Sequence, residues 1–225
     1  MARPTAPYVV VGLVVMGWTP QALLRDIAVA LGASATRSFQ PDQPAESLTF
    51  ETPDAGIVLV TCRVDEGDPR FVAVEMFVSG DLLGGPSWIL LSPEEQAALE
   101  RSRSFVKRAL VILCGRLKPL YAGAGVEWKT AVPSALHENW LPSDVFWSGG
   151  LEAADPPLAS DLGAIYGVPG HPFQGGTLIA AGGLVDIDAK PPPEPLAAGH
   201  AAARRLARAL AAMFPGKQGN DRGRP

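Results

Sequence analysis

Three runs between Ser47 and Val78 constrain the fold more than any other feature. Ser47–Thr52, Gly56–Val64 and Arg70–Val78 read as strands, and only short turn signals separate them: Pro53-Asp54-Ala55-Gly56, then Glu66-Gly67-Asp68-Pro69. The third run places Phe71, Ala73, Glu75 and Phe77 on one face and Val72, Val74, Met76 and Val78 on the other, the two-residue period of a strand. Connections this short join antiparallel neighbours, because a parallel pair needs a crossover of about a dozen residues or more. The runs therefore predict antiparallel hairpins and argue against a parallel α/β sheet.

The rest of the chain extends that reading. Tyr8–Met16 is rich in β-branched residues and predicts a buried first strand. Thr19-Pro20 then supplies a helix cap with proline at the first helical position. Leu23, Leu24, Ile27, Ala28 and Leu31 form one stripe that Gly32 is placed to end. Ala33–Glu46 is polar with two prolines and reads as a loop. Ser92-Pro93-Glu94-Glu95 is a capping box opening a long helix through Leu117, with two carboxylates on the positive end of its dipole. Strands follow over Leu120–Thr130 and Asp144–Ser148, then a short helix from Asp155-Pro156 to near Gly167, and a last core strand over Gly175–Ala181. The order is β-α-β-β-β-α-β-β-α-β-α, which predicts an α+β fold: a mostly antiparallel sheet with helices packed on one side. Residues 1–189 are expected to form a single domain, 190–196 a proline-rich linker, 197–214 a basic C-terminal helix and 215–225 a disordered tail.

Of 225 residues, 47% are hydrophobic and 19% charged, which suits a folded chain and not a disordered one. A net charge of −4 excludes a generally basic nucleic-acid binder, and two cysteines exclude a disulfide scaffold. Cys62 and Cys114 stand in apolar settings and read as small buried hydrophobes. No apolar stretch reaches the roughly 18–20 residues of a membrane span. The run Tyr8–Trp18 imitates a signal-peptide core, but Arg25 and Asp26 stand before the small residues Ala33-Ser34-Ala35, where such a peptide carries no charge. The expected location is cytoplasmic.

Conventional catalytic signatures are absent: there is no Walker loop, no glycine fingerprint between strand and helix, and no Gly-x-Ser-x-Gly elbow. Gly123-Ala-Gly125 follows the long helix and reads as a small-residue strand that allows close packing. A zinc site would require His137, His171 and Asp144 to converge from distant positions, so neither a metal nor a cofactor is expected.

One segment stands out. Gly125–Trp147 holds three of the five tryptophans together with a histidine, an asparagine and three carboxylates, in a proline-bounded and non-periodic setting. Large aromatics and polar groups on a loop between strands suit recognition. The candidate binding residues are Trp128, His137, Glu138, Asn139, Trp140, Asp144 and Trp147. The competing structural reading is that the three tryptophans plug the sheet edge and core. The catalytic alternative is a hydrolase in which Glu127, His137, Glu138 and Asp144 supply a general base and its orienting acid.

Charge is distributed unevenly. Thr130–Ala189 contains no Lys or Arg but has seven acids, Glu138, Asp144, Glu152, Asp155, Asp161, Asp186 and Asp188. Ala197–Pro225 has six basic residues and one acid, and Arg204, Arg205 and Arg208 share a helix face there. An acidic field speeds encounter with a cationic partner and repels nucleic acid. The alanine-rich basic helix is expected to dock on the sheet. The long capped helix, the strand with Tyr121 and Gly125-Val-Glu127, and the Leu141-Pro-Ser-Asp144-Val-Phe segment together resemble α+β immunity proteins of bacterial polymorphic-toxin systems, over about Pro119–Ala181. The resemblance implies a cytoplasmic bacterial protein that neutralises a toxin by blocking its active site. The leading expectation is a non-catalytic binding protein that masks a cationic protein partner.

Overall fold

Tyr8–Met16 forms strand β1, and its own side chains decide where it must lie. Val9, Val11, Leu13 and Val15 point to one side, Val10 and Val14 to the other, and all six are buried. A strand that is apolar on both faces is stable only as an interior strand covered above and below. In the computed structural model, which describes residues 8–32, 36–38, 46–52, 55–79, 93–126, 128–182 and 192–215, β1 is the middle strand of a sheet of nine.

In chain order the elements are β1, α1 (Pro20–Ala30), β2 (Thr36–Ser38), β3 (Glu46–Thr52), β4 (Gly56–Val64), β5 (Phe71–Ser79), α2 (Pro93–Leu117) and β6 (Tyr121–Val126). A 3-10 helix (Pro133–Glu138) follows, then β7 (Asp144–Ser148), α3 (Gly149–Ala154), α4 (Leu158–Tyr166), β8 (His171–Phe173), β9 (Gly176–Ala180) and α5 (Pro195–Met213). The strand order is β2-β3-β4-β5-β1-β6-β7-β9-β8, and every pairing is antiparallel. The α+β class and the hairpin run β3-β4-β5 are as the turn signals predict.

One part of the expected architecture is corrected: the helices cover both faces of the sheet. Helices α1 and α2 bury Leu23, Ile27, Val106, Leu110 and Leu113 against the first face. The 3-10 helix, α3, α4 and α5 bury Leu136, Leu151, Leu162 and Leu206 against the second. The two-faced apolar pattern of β1 requires this, since at roughly 1.5–3 kcal/mol for each large aliphatic side chain removed from water neither face tolerates exposure. Helix α5 docks as expected, with Ala202, Ala203, Leu206, Ala209 and Leu210 all buried. Its small residues let the backbone come close, and a Cβ on Gly199 would lie 2.4 Å from the Leu141 carbonyl oxygen.

Local chemistry sets several boundaries. Thr19 caps α1, its hydroxyl accepting from the Ala22 N–H. After α2 the chain turns at Lys118, whose φ of 47° is left-handed, and the Lys118 N–H donates to the Cys114 carbonyl. Gln174 and Gly175, with φ of 47° and 81°, form the two-residue loop of the β8–β9 hairpin. β6 ends at Val126, short of the expected Thr130, because the chain leaves the sheet there. Glu127, Ser92, the first residues of the proline linker and the tail from residue 216 lie outside the described residues. Among the described residues, no helix is long and apolar enough to cross a membrane.

Candidate functional site

Gly12 of β1 and Gly123 of β6 lie opposite one another, and Gly125 follows on β6, leaving a bare strip on the second face of the sheet. A Cβ on Gly12 would stand 2.6 Å from the Trp128 ring, one on Gly125 2.9 Å from the Trp128 Cβ, and one on Gly123 2.6 Å from the Pro142 ring. The chain beyond β6 therefore lies down on the sheet instead of extending it. Neighbouring side chains bind its backbone in place of a partner strand. Glu75 accepts from the Thr130 N–H at 2.7 Å, Arg63 donates to the Thr130 carbonyl at 2.8 Å, and the Tyr121 hydroxyl donates to the Ala131 carbonyl. Asp65 then holds the start of the 3-10 helix, accepting from the Ser134 N–H and hydroxyl at 3.1 and 2.5 Å. Burial, and secondarily the Asp65 carboxylate, raise the Tyr121 phenol well above its ordinary range.

This packing decides the fate of the tryptophan-rich segment. Trp128 is 2% exposed and its indole N–H donates to the Trp140 carbonyl at 3.0 Å. Trp147 is fully buried and donates to Glu152 at 2.8 Å. Asp144 is fully buried and accepts from the Gly182 N–H at 2.8 Å. The expectation that these three face a partner is corrected. The glycine strip draws Trp128 down, and strand pairing on both sides encloses β7. Trp140 and Asn139 are half-buried, with the Asn139 amide donating to the Ala135 carbonyl at 2.7 Å and its own carbonyl 3.0 Å from the His200 ring. Only His137 and Glu138 of the seven are exposed, 3.4 Å from each other. Of the catalytic alternative, His137 and Glu138 stand together in the open while Asp144 is buried. Glu127 lies outside the described residues, and the groove that His137 lines does not include Asp144. No group of three His, Cys, Asp or Glu among the described residues is placed to hold a metal.

Four of the five described acids between Thr130 and Ala189, namely Asp144, Glu152, Asp155 and Asp161, are engaged within the chain. Glu152 accepts from both Trp147 and Thr177. Asp155 and Asp161 share Arg205, whose side chain is only 7% exposed: two hydrogen bonds of 2.5 and 2.8 Å go to Asp155 and one of 2.7 Å to Asp161. Hydrogen bonding from Arg205, then the charges of Arg205 and Arg208, hold the Asp155 carboxyl below its usual range. Arg205 thus ties α5 to α4 and the residues before it, while Arg204 and Arg208, read from the sequence as sharing its helix face, remain exposed. Asp186 and Asp188 lie outside the described residues.

Those two exposed arginines line a groove of about 1020 Å³ along α5. Ala201, Ala207, Leu210, Ala211 and Phe214 give it an apolar helical wall. The β4–β5 turn (Asp65, Gly67, Asp68) and the 3-10 helix (Pro133, Ser134, His137) contribute the rest, with Phe71 and Ile165. The span from Ala201 to Phe214 is about 20 Å at 1.5 Å per helical residue. Phe71 and Phe214 meet edge to face, centroids 5.4 Å apart, and the Arg70 guanidinium stands 5.6 and 5.7 Å from their ring centres while pairing with Asp68. Sequence reading missed this place. The four-residue spacing of Arg204 and Arg208 was a signal for a shared helix face, but the meeting of Phe71 with Phe214 is a tertiary event that no local pattern marks. No protein-family model matches the chain, and no curated protein is significantly similar to it.

Proposed function

We propose that the protein is a non-catalytic binding protein that masks a protein partner, and that the partner engages the groove along α5. The groove itself carries the reading: it is long, open and apolar, and elements held by internal hydrogen bonds wall it. A surface pre-formed in this way spends little of its binding free energy on ordering. Immunity-type inhibition of a toxin is the form of masking that the likeness over Pro119–Ala181 suggests. Of the seven acids that pointed to a cationic partner, Asp144, Glu152, Asp155 and Asp161 are engaged inside the molecule, which weakens the support for that choice of charge.

The test is site-specific photocrosslinking in cells that make the protein, with the reactive residue at Ala211 in the groove or at Val29 on the exposed side of α1. One protein should be captured from Ala211 and not from Val29, and the capture should fail once Ala207→Trp fills the groove. Equal capture from both positions would refute the assignment.

A further inference from the structure

Charge and length together limit what fills the groove. Arg204 and Arg208 are one helical turn apart, about 6 Å along the axis, and both are exposed. Neither makes a hydrogen bond or ion pair with a described residue, and the one carboxylate that Arg208 influences through its charge, Asp155, is already bound by Arg205. The two carboxylates that line the groove do not compensate them. Asp65 is buried and accepts from the Ser134 N–H and hydroxyl and the Gly67 N–H, and Asp68 is paired with Arg70. Among the described lining residues the accessible charge is therefore positive, above an apolar floor that includes Phe71 and Phe214.

We infer that the groove takes an extended acidic segment of a protein partner, with carboxylates at alternate positions on Arg204 and Arg208 and an apolar side chain against Phe71 and Phe214. Alternate residues of an extended chain point the same way and lie about 6.6–6.8 Å apart, close to the spacing of the two arginines. Each guanidinium presents a planar fork that a carboxylate meets with two hydrogen bonds. The 20 Å length suits about six extended residues and exceeds what a small carboxylate would occupy. This inference rests on the proposed binding role and reverses the partner charge expected from the sequence.

A random 12-residue peptide library selected on the immobilised full chain tests it, with the enriched peptides synthesised, fluorescently labelled and titrated by anisotropy at low and high salt. Enriched peptides should carry Asp or Glu at alternate positions beside an aromatic or aliphatic residue. The double substitution Arg204→Glu with Arg208→Glu should weaken their binding at least tenfold, and Ala207→Trp should abolish it. Ala211→Trp replaces the latter if Ala207→Trp lowers the melting temperature.

Basic or uncharged peptides that are blocked by the tryptophan but indifferent to the charge reversal would overturn the acidic occupant and leave the binding role intact. Failure of any peptide to enrich, or binding unaffected by groove filling, would overturn both. Dimerisation in sedimentation that groove filling abolishes would instead make a second copy the occupant. Binding to anionic phosphatidylglycerol vesicles without peptide enrichment would make it a lipid surface, and either result overturns the inference.

Discussion

Replacing Arg205 by Met removes the guanidinium that ties α5 to Asp155 and Asp161 while keeping most of the packed stem. The lost interactions are three charge-assisted hydrogen bonds of 2.5–2.8 Å. Their gross value exceeds their net one, because the Asp161 side chain is 48% exposed and regains water once its partner is gone. Asp155 is the better buried acid, so its two bonds dominate, and the expected loss is about 2 kcal/mol. For a chain of this size that lowers the melting temperature by about 4–8 °C.

Calorimetry across pH supplies the sharper test. The Asp155 carboxyl titrates below its ordinary value of 3.8 in the folded protein. A depressed carboxyl stabilises the fold above its unfolded pKa, and that stability is lost as pH falls through the folded value. The gap between wild type and R205M should therefore stay constant from pH 7 to pH 5 and close only below pH 3.8. At pH 7, a double-mutant cycle with Asp155→Asn should return about 1–2 kcal/mol of coupling. A variant melting within 1 °C of wild type, or a gap already closed at pH 5, would refute the reasoning.

Further outcomes follow from single positions. Lys118 holds a left-handed φ after α2, so Lys118→Gly should raise stability by about 1 kcal/mol in urea denaturation. Gly12→Ala would push a methyl into Trp128 and Thr130, and should lower stability by about 3 kcal/mol, with a smaller loss on a Thr130→Ala background. The Thr130 hydroxyl is buried with no hydrogen-bond partner among the described residues, so Thr130→Val should stabilise by about 1 kcal/mol. Burial pushes the Cys114 thiol up to about 12, and Cys62 is also buried; neither should react with a thiol reagent at pH 8 until the protein unfolds.

The elements were legible wherever one local pattern was strong. The period-two run of β5, the stripe of α1 and the docking of the alanine-rich α5 all emerge from spacing alone. The two-sided covering was implicit in β1, whose odd and even positions are equally apolar, but choosing a single covered face overlooked it. The candidate site was harder to read. Trp128 and Trp147 look alike in sequence whether they face solvent or core. What buries Trp128 is glycine in β1, more than a hundred residues earlier, opposite the glycines of β6. The fate of Asp155 and Asp161 likewise depends on an arginine in the last helix. Such pairings are fixed by tertiary geometry, and they made an acidic stretch look more available than it is.

The central position of β1 also bears on how quickly the chain reaches its folded form. Val11 lies opposite Met76 on one side and Ala124 on the other, so the strand nearest the chain start closes two very large loops. The β3-β4-β5 meander assembles from near neighbours, but it gains its inner neighbour only when the first segment inserts. Proteins dominated by such distant pairings cross their folding barrier in milliseconds to seconds. Until then β5 presents an unsatisfied apolar flank, and that interval is when misassociation competes with correct assembly.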